Sequence, residues 1–495
     1  MAGKPEPASL IEALKNADTY RAITGSTPGE TIAVLENLLG ICYASGTYPA
    51  SAREWRRWVH SSQPLTPAAQ WLAQQPDDDW DLFHPTRPLG QNAQLAPYLD
   101  EHGAGPAQLV IEHVGDYNQF FDHHHLEHPA PLPAPAAFRA MLAQHLYGTG
   151  GRARISGKET LGPTITNLAL GRLSARIRVI ALGDTLGDTL RLNLTPSADG
   201  PGTLNLTWTD GRPRRGFTTK PAGRHVDGPA DLHSVLGRSI LMRPVTGPGG
   251  EPAVDRVLMG AGELLAPLPD RYMQDAVYAK TASGTLKPVW PSAARALWRE
   301  AHALYAAVAE REKDTDLYGR LALLPARHIN LWAVGLISKQ TTAISWISDS
   351  FPFVPGRQAD LRHAASTGSQ IAEYIAACLG KAAYTAWTIA YPNPKPADKA
   401  SQIARFDARG EHWAATAQPF HTLLEAAADG EDLPGALAEY AATITASATE
   451  FLTRRLDSLP PNARGYQARA ETRARFTDEL TSGKAPDYVK EALPS

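Results

Sequence analysis

The stretch from residue 330 to residue 347, NLWAVGLISKQTTAISWI, decides the fold of the segment around it. Two apolar runs, Leu331 to Ile337 and Thr342 to Ile347, flank a short polar tip. Such residues favour strands, and runs of this length are too short for a typical helix, so the pattern predicts a β-hairpin. The tip lacks the Asn-Gly or Asp-Gly pair of tight hairpins and carries Lys339 and Gln340 instead. Ordering such long side chains costs entropy, which favours a functional interpretation of the tip.

Beyond the hairpin, from about residue 357, apolar residues recur with helical spacing. Four long amphipathic segments are predicted: 360–389, 398–427, 432–456 and 463–480. Short connections between such helices favour an antiparallel four-helix bundle. We therefore predict an α+β protein with two domains. Residues 1–356 form a mixed α/β body with β-hairpins and long loops, and residues 357–495 form the bundle.

The body shows both helical and strand patterns. Ile32, Leu35, Leu38 and Leu39 predict a buried helix. Helical spacing also appears between residues 184 and 194. Strands are predicted at 107–113, 175–181, 203–208, 239–242 and 256–259 from their apolar, β-branched content.

Composition limits the class of protein. The chain has 495 residues, enough for two or three domains, and its formal net charge of −3 argues against a wholly basic nucleic-acid coat protein while leaving room for local basic grooves. The only cysteines, Cys42 and Cys378, lie in apolar helical stretches and are predicted to be buried free thiols, which disfavours a cysteine zinc site. No apolar run approaches the length of a membrane span, so we expect a cytoplasmic protein without a membrane partner.

A long loop at residues 115–135 admits two interpretations. The histidines between His123 and His128 suggest a metal site, but three of them are consecutive and cannot all face one ion. Alternatively, Phe120 and Phe121 stack on bases while Asn118 reads them through its amide.

Gly148 to Gly151 follow a predicted helix and precede two arginines. A helix rather than a strand comes before these glycines and no Gly-Lys-Ser/Thr triplet follows, which argues against a nucleotide-hydrolysing P-loop. They form either a flexible helix C-cap or a loop that approaches a nucleic-acid groove closely. A second predicted hairpin, residues 278–288, carries Lys280.

Basic residues concentrate near the link between the third and fourth bundle helices. The set is Arg454, Arg455, Arg464, Arg469, Arg473 and Arg475. Such a face suits a single strand of DNA, and an ordinary solvated helix face explains it equally well.

No catalytic set assembles from the sequence. Instead the order of several weak motifs resembles the CasA family, the large subunit of type I-E CRISPR Cascade surveillance complexes. The motifs are Glu54-Trp55, Asp81-Leu82-Phe83, Pro88 with Gln91, Gln144, Gly183 to Leu186, Leu192 to Leu194, Thr207-Trp208 and the helical C-terminal region.

The resemblance implies a non-catalytic subunit that recognises the protospacer-adjacent motif of double-stranded target DNA from the minor groove and initiates R-loop formation in antiviral defence. It implies motif contacts from Gly148, Gly150, Gly151, Lys280 and Gln340. Some relatives have asparagine beside the Gln340 wedge; here the cationic Lys339 stands there, and its charge suits a displaced phosphate. Residues 115–132 then dock on the 5′ handle of the guide CRISPR RNA, through Asn118, Phe120 and Phe121. Arg464, Arg469, Arg473 and Arg475 form the expected displaced-strand groove.

The implied partners are guide RNA, target DNA, the backbone and small Cascade subunits, and a helicase-nuclease recruited after target binding. No cofactor and no metal are expected. Two alternatives stay open: a metal-dependent hydrolase that uses the histidine loop, and a purely structural adaptor whose bundle binds only protein.

Overall fold

The computed structural model describes residues 4–113, 130–152, 167–208, 223–269, 272, 277–280, 286–292, 297–301, 305, 317–339, 342–392 and 396–493. The chain divides into two compact units. The first, called the body here, comprises Met1–Leu297, Arg311–Leu324 and Ile329–Ser350. The second, called the helical unit, comprises Trp298–Glu310, Pro325–His328 and Phe351–Ser495.

The α-helices of the described residues are mostly short in the body and long in the helical unit. Those of the body are α1 (Leu10–Lys15), α2 (Pro28–Ala44), α3 (Ala52–His60), α4 (Thr66–Ala73), α5 (Asp77–Trp80), α6 (Leu99–His102), α7 (Ala134–Tyr147), α8 (Leu186–Asn193), α9 (Pro229–His233) and α10 (Leu317–Leu321). Those of the helical unit are α11 (Gln358–Ala390), α12 (Lys399–Ala404), α13 (Arg409–Asp429), α14 (Leu433–Asp457), α15 (Ala463–Thr481) and α16 (Asp487–Glu491).

The strands form small antiparallel sheets. They are β1 (Leu132–Pro133), β2 (Gly151–Arg152), β3 (Asn167–Leu168), β4 (Ile177–Leu182), β5 (Arg238–Thr246), β6 (Pro252–Ala261), β7 (Tyr278–Lys280), β8 (Leu286–Pro288), β9 (Ile329–Lys339) and β10 (Thr342–Phe353). Among the described residues, two three-stranded sheets have the orders β1-β6-β5 and β10-β9-β4, and β2-β3 and β7-β8 are two-stranded ribbons.

The main core of the body surrounds α2. Thr27 caps this helix through the N–H of Glu30, and Pro28 supplies its first turn. Its apolar residues are buried almost all round, which explains why it packs against α7 on one side and α9 on another. The predicted burial of Ile32, Leu35, Leu38 and Leu39 is confirmed.

The predicted hairpin is confirmed as β9 and β10, which are neighbours in one sheet. β9 also pairs with β4, from Ile177 opposite Gly335 to Leu182 opposite Asn330. A third strand therefore supports the hairpin, as an isolated hairpin is only marginally stable.

The helical unit contains the predicted bundle, so the α+β class is confirmed. α11 packs against α13, α14 and α15, and α13 packs against α14. Gly368, near the start of α11, lies against Phe420 and Leu423 near the end of α13, as expected of antiparallel neighbours. The start of α15, at Ala463, lies beside Ala390 at the end of α11. Glu479, near the end of α15, accepts a hydrogen bond from Tyr374 in the middle of α11, so α15 is antiparallel to α11 as well.

Three local predictions are wrong. Residues 107–113 form two 3-10 turns, Pro106–Leu109 and Ile111–His113, rather than a strand. Residues 203–208 have no regular secondary structure. They bond instead to the segment at Gly90 and Gln91, where the Gly90 N–H donates to the Leu206 carbonyl and the Trp208 N–H to the Gln91 carbonyl. The predicted helix 398–427 is divided into α12 and α13, because the Asp407 carboxylate accepts the N–H of Arg409 and starts a new helix there.

Both cysteines are buried and free, as predicted. Within the described residues, no helix is both long and apolar enough to cross a membrane. The same residues bring no three His, Cys, Asp or Glu side chains together as a metal-binding group. The histidine loop with His123 and His128 lies outside the described residues.

Candidate nucleic-acid interface

The glycine segment continues directly from α7 into a β-ribbon. The Gly148 N–H donates to Gln144 at 3.0 Å and its carbonyl accepts from the Gly171 N–H at 2.9 Å. Gly151 then pairs with Leu168 in the β2-β3 ribbon. The segment is therefore both a helix C-cap and the start of a ribbon, so it is fixed at its base rather than flexible.

A buried arginine lies under this base. Arg238, at the start of β5, donates to the carbonyls of Thr149 at 2.6 Å, Ala169 at 2.6 Å and its neighbour Gly237 at 2.9 Å. A Cβ on Gly148 would lie 2.5 Å from the guanidinium, so only glycine leaves room for it. Sequence reasoning missed Arg238, since a single arginine at a strand start gives no signal.

The β7-β8 ribbon carries Lys280 at the end of β7, opposite Leu286. Just before β7, the Val277 N–H donates to the Ile177 carbonyl of β4 at 3.4 Å. Just after β8, the Pro291 ring fills the space beside Gly335 of β9. Ile177 and Gly335 are register partners, so both ends of this ribbon meet the same position of the β10-β9-β4 sheet.

Trp346 of β10 connects three further elements of the body. Its ring meets the ring of Tyr147, the last residue of α7, edge-on with centroids 4.8 Å apart. It also packs on Gly29 at the start of α2. Its indole N–H donates to the carboxylate of Glu112, which lies three residues before the long loop begins at Gly115.

A buried charge cluster fixes the chain between β4 and the β2-β3 ribbon, which is called the glycine ribbon below because it begins at the glycine segment. The Glu36 carboxylate of α2 accepts from Arg172, from Arg178 at 2.7 Å and from Nδ1 of His233 at 2.7 Å. Burial by itself raises the pKa of Glu36, but Arg178, Arg172 and His233 outweigh burial and hold it well below 4.5. Glu36 is therefore ionised and binds the segment that leads from β3 into β4.

The β10-β9-β4 sheet thus anchors each of the predicted motif elements. Gly148 and Gly151 are described, and so is the backbone of Lys280 and of Lys339, the last residue of β9. Outside the described residues lie Gln340, the side chains of Lys280 and Lys339, and the predicted RNA contacts Asn118, Phe120 and Phe121.

Exposed apolar side chains stand beside these elements. Leu170 is the nearest side chain to Gly150, Trp290 follows β8 and is 65 % exposed, and Ile344 lies near the start of β10. Sequence reasoning did not select them, because neighbours such as Val289 and Pro291 around Trp290 are themselves apolar and give no signal of exposure. They supply apolar surface of the kind that minor-groove proteins press against DNA.

The four bundle arginines have different surroundings. Arg469 donates to the carbonyls of Leu456 at 3.1 Å and of Leu459, and so caps the C-terminal end of α14. Arg475 pairs with Glu479 one turn later at 2.6 Å. Arg473 is exposed, and Arg464 is exposed at the first turn of α15. Two of the four side chains therefore have defined partners within the helical unit.

Arg464 lines a cavity of about 480 Å³ at one end of the bundle. Arg405, Tyr391 and Asn462 line it too, and the Arg405 guanidinium donates to the Tyr391 hydroxyl at 2.8 Å. Among the described residues, no carboxylate lines this cavity. A similar cavity of about 460 Å³ between α13 and α14 has three acidic residues in its lining, Glu431, Asp432 and Glu439. Charge thus distinguishes two cavities of nearly equal size, and of these two the first suits a phosphate.

Comparison with known proteins gives one family. The family model described as CRISPR-associated protein Cse1 matches residues 1–451. A search of curated proteins gives no match.

Solved structures agree over nearly the whole chain. A CRISPR-associated protein from Thermus thermophilus has a TM-score of 0.73 at 18 % identity, covering 95 % of this chain and 94 % of that one. Cse1 from Acidimicrobium ferrooxidans has a TM-score of 0.72 at 20 % identity, with 96 % and 93 % covered. A chain of a structure described as a CRISPR RNA-guided surveillance complex has a TM-score of 0.71 at 20 % identity, with 96 % of both chains covered. At such identities the likeness concerns the fold.

Proposed function

The chain belongs to the CRISPR-associated Cse1 family, and on that premise we propose that it is the large, non-catalytic subunit of a guide-RNA surveillance complex. Family membership confirms the resemblance described above, since Cse1 and CasA are two names for one protein in a solved structure from Thermus thermophilus. Its task in the complex is to recognise the protospacer-adjacent motif of duplex DNA from the minor groove and to start strand separation. Guide pairing then reads the remaining sequence.

One observation supports this most strongly: the three motif elements have a common anchor. The glycine ribbon joins β10 through Tyr147 and Trp346, the β7-β8 ribbon meets β4 and β9 at Ile177 and Gly335, and the predicted wedge is the β9-β10 tip itself. Elements fixed to one small sheet keep their mutual spacing. Such preorganisation is what reading a groove of fixed width requires.

The chemistry of each element suits a minor groove. There, A·T and T·A offer only acceptors, while G·C adds one amino donor, so readout is degenerate. The Lys280 ammonium is a donor and the Gly148–Gly151 backbone approaches closely, which suits a permissive reader. Gln340 acts as the wedge that unstacks one base step, at a cost of a few kcal/mol, and Lys339 holds the adjacent phosphate.

The guide RNA handle binds the long loop at residues 115–132 in this proposal. Phe120 and Phe121 stack on unpaired bases and Asn118 reads a base edge. Glu112, three residues before the loop begins at Gly115, bonds to Trp346, which supports a link between handle docking and the motif elements.

The displaced DNA strand follows the basic end of the bundle. Arg464 and Arg473 are the exposed members of the predicted groove, and Arg405 joins them at the cavity beside Arg464. Arg469 and Arg475 contribute through their local field, since their side chains already bond to α14 carbonyls and to Glu479.

The other partners in this proposal are the backbone and small subunits and a helicase-nuclease recruited after target binding, all in the cytoplasm. The chain contributes binding energy and position rather than catalysis, so the recruited enzyme supplies strand cleavage.

The test uses assembled complexes that carry Gln340→Ala with Lys280→Ala. We expect motif-bearing duplex to bind at least about tenfold more weakly, the scale of one lost charge-assisted contact. A target whose two strands are already separated over the first base pairs should bind normally, since it needs no wedge. Lys287→Ala is the matched control, because Lys287 pairs with Ala279 at the neighbouring position of the same ribbon.

Undiminished affinity of the double variant for closed duplex would contradict the proposal. Stoichiometric metal in the purified protein would favour a hydrolase that uses the histidine loop. Unchanged DNA affinity together with loss of a subunit, after Arg464→Ala and Arg473→Ala, would favour the structural adaptor for the bundle.

A further inference from the structure

Arg238 is a buried cation whose bonds are unusual for its environment. Only 2 % of the residue is exposed, and the described acceptors of its guanidinium are all backbone carbonyls, those of Thr149, Ala169 and Gly237. No carboxylate of the described residues pairs with it. A buried charge normally has an ionic partner, because carbonyl dipoles replace its hydration only in part.

Two other buried arginines of the body, Arg178 and Arg191, have ionic partners. Arg178 pairs with Glu36 at 2.7 Å, and Arg191 pairs with Asp18 and Asp188. Arg238 differs from these two arginines, because its acceptors among the described residues are carbonyls alone. Burial lowers the pKa of Arg238 to about 10, so its guanidinium still carries its charge at neutral pH.

The carbonyls that Arg238 binds lie on both sides of the glycine ribbon. Thr149 precedes β2 and Ala169 follows β3, so one planar guanidinium ties the two ends of the ribbon together. Its two bonds of 2.6 Å use different nitrogens of the rigid fork, a geometry that a lysine ammonium cannot reproduce.

The backbone of Arg238 is fixed as well. Its N–H donates to Nδ1 of the buried His145 at 3.2 Å, and Nε2 of His145 bonds to the Gly90 carbonyl at 2.9 Å. Nδ1 of His145 accepts a hydrogen bond, and Nε2 faces a carbonyl oxygen that can only accept one. The His145 ring is therefore the neutral tautomer with its hydrogen on Nε2. The guanidinium therefore sits on a rigid support beside the last turn of α7.

We propose that Arg238 is the positioning residue of the glycine loop and that its unpaired positive charge, held beneath Gly148 to Gly151, attracts a backbone phosphate of the target duplex. This deepens, and rests on, the function proposed above. The carbonyl bonds hold the loop in the shape that approaches the groove. The charge supplies the attraction that glycines by themselves lack, and bound DNA supplies an anionic partner for it.

Two substitutions separate the role of the Arg238 charge from the role of its hydrogen bonds. Arg238→Met removes the charge at similar volume, and Arg238→Lys keeps the charge but not the fork. In assembled complexes, Arg238→Met should weaken binding of motif-bearing duplex roughly tenfold, the scale of one charge-assisted contact. It should also lower the slope of log affinity against log salt by about 0.9, the value for one phosphate.

Arg238→Lys should keep the salt slope of the natural protein and lose discrimination between duplexes with and without the motif. Both variants should speed hydrogen exchange in the peptide that spans residues 146–152, because the bond to Thr149 is lost. The matched control is Arg191→Met, an equally buried arginine of the body that pairs with carboxylates. It should leave salt slope and motif discrimination unchanged.

Three outcomes would overturn the inference. One is an unchanged salt slope in Arg238→Met. Another is that Arg238→Lys discriminates as well as the natural protein between duplexes with and without the motif. This second measurement tests the inference even if the Arg238→Met variant does not assemble. The third is that Arg191→Met reproduces both effects, since general loosening of the body then explains them. If Gln340→Ala with Lys280→Ala still weakens closed-duplex binding, only this inference fails; if that variant has no effect, the proposed function fails too.

Discussion

The ring of Tyr147 meets the ring of Trp346 edge-on at 86°, with centroids 4.8 Å apart. Tyr147 ends α7 immediately before the glycine segment, and Trp346 lies on the strand that follows the predicted wedge. Edge-to-face pairs have a defined geometry because the positive ring edge faces the negative ring face. One aromatic contact thus sets the position of the glycine ribbon relative to the β9-β10 hairpin.

Removal of the Trp346 ring should loosen this joint. Trp346→Ala should lower the free energy of unfolding of the body by about 3 kcal/mol, within the range for large aromatic truncations. Trp346→Phe keeps a ring against Tyr147 but loses the N–H bond to Glu112, so it should cost about 1 kcal/mol. Denaturant unfolding of the purified subunit measures both. Equal losses for the two variants would show that the ring contact itself contributes little.

Gly29→Ala should disturb the same joint from the opposite side. A Cβ at Gly29 would lie 2.1 Å from Trp346, in a helix where alanine is otherwise favourable. Overpacking of this kind costs about 1–3 kcal/mol. Gly410→Ala is the control, because its Cβ would meet nothing within 4 Å, so it should be neutral or stabilising. Thermal unfolding decides, and an unchanged midpoint for Gly29→Ala would contradict the assigned contact.

Loss of the Glu36 charge should destabilise the body strongly. Glu36→Gln removes the carboxylate that Arg172 and Arg178 share in the buried cluster, which costs about 3–5 kcal/mol. Urea unfolding of the two proteins at neutral pH gives this difference. A loss below about 1 kcal/mol would mean that the cluster is not held as described.

The same residue predicts a pH dependence. The folded-state pKa of Glu36 lies well below its ordinary value of 4.5, so its stabilisation is complete above about pH 4.5. It is lost as the pH falls from there through the folded pKa. The stability difference between the natural protein and Glu36→Gln should therefore shrink on acidification below pH 4.5. A constant difference across that range would be contrary to this linkage.

The cavity at the basic end of the bundle predicts a graded effect on single-stranded DNA. Arg405→Ala with Arg464→Ala should reduce the affinity of the complex for the displaced strand and lower the salt slope by about 1.4, the value for two phosphates on a single strand. Arg409→Ala is the control in the same unit, because Arg409 pairs with Asp407 and is not part of the predicted groove. Electrophoretic titration with a single-stranded oligonucleotide measures this. An equal loss of affinity in the control would indicate that the strand is attracted by the diffuse positive field of the unit rather than held at the cavity.

The periodicity of apolar residues correctly predicted the helices and strands that bury one face within their own unit. The bundle helices follow from apolar residues that recur about every 3.6 positions, because that period places them on one buried face. The β9-β10 hairpin follows from its short apolar runs rich in β-branched residues. The prediction failed at residues 107–113 and 203–208. Both segments have strand-like composition, but a strand forms only where a partner strand offers free backbone groups, and composition does not identify the partner.

For the interface, sequence reasoning selected residues at loop tips and overlooked those beneath them. Gly148, Lys280 and Gln340 came from motif order and a family resemblance. Arg238, Glu36 and Trp346 gave no signal, because a single buried charge or ring among apolar residues looks like ordinary core.

The sequence by itself determined the family, the α+β class, the helices of the bundle and the hairpin at residues 330–347, because local periodicity and motif order are properties of the linear chain. Only the tertiary structure decided that the anchors of three separate segments meet on one sheet, and that Arg238 ties both ends of the glycine ribbon. Those contacts join residues up to about two hundred positions apart, from Tyr147 to Trp346. Packing and hydrogen bonding across such separations depend on the folded arrangement of the whole body, which no local pattern encodes.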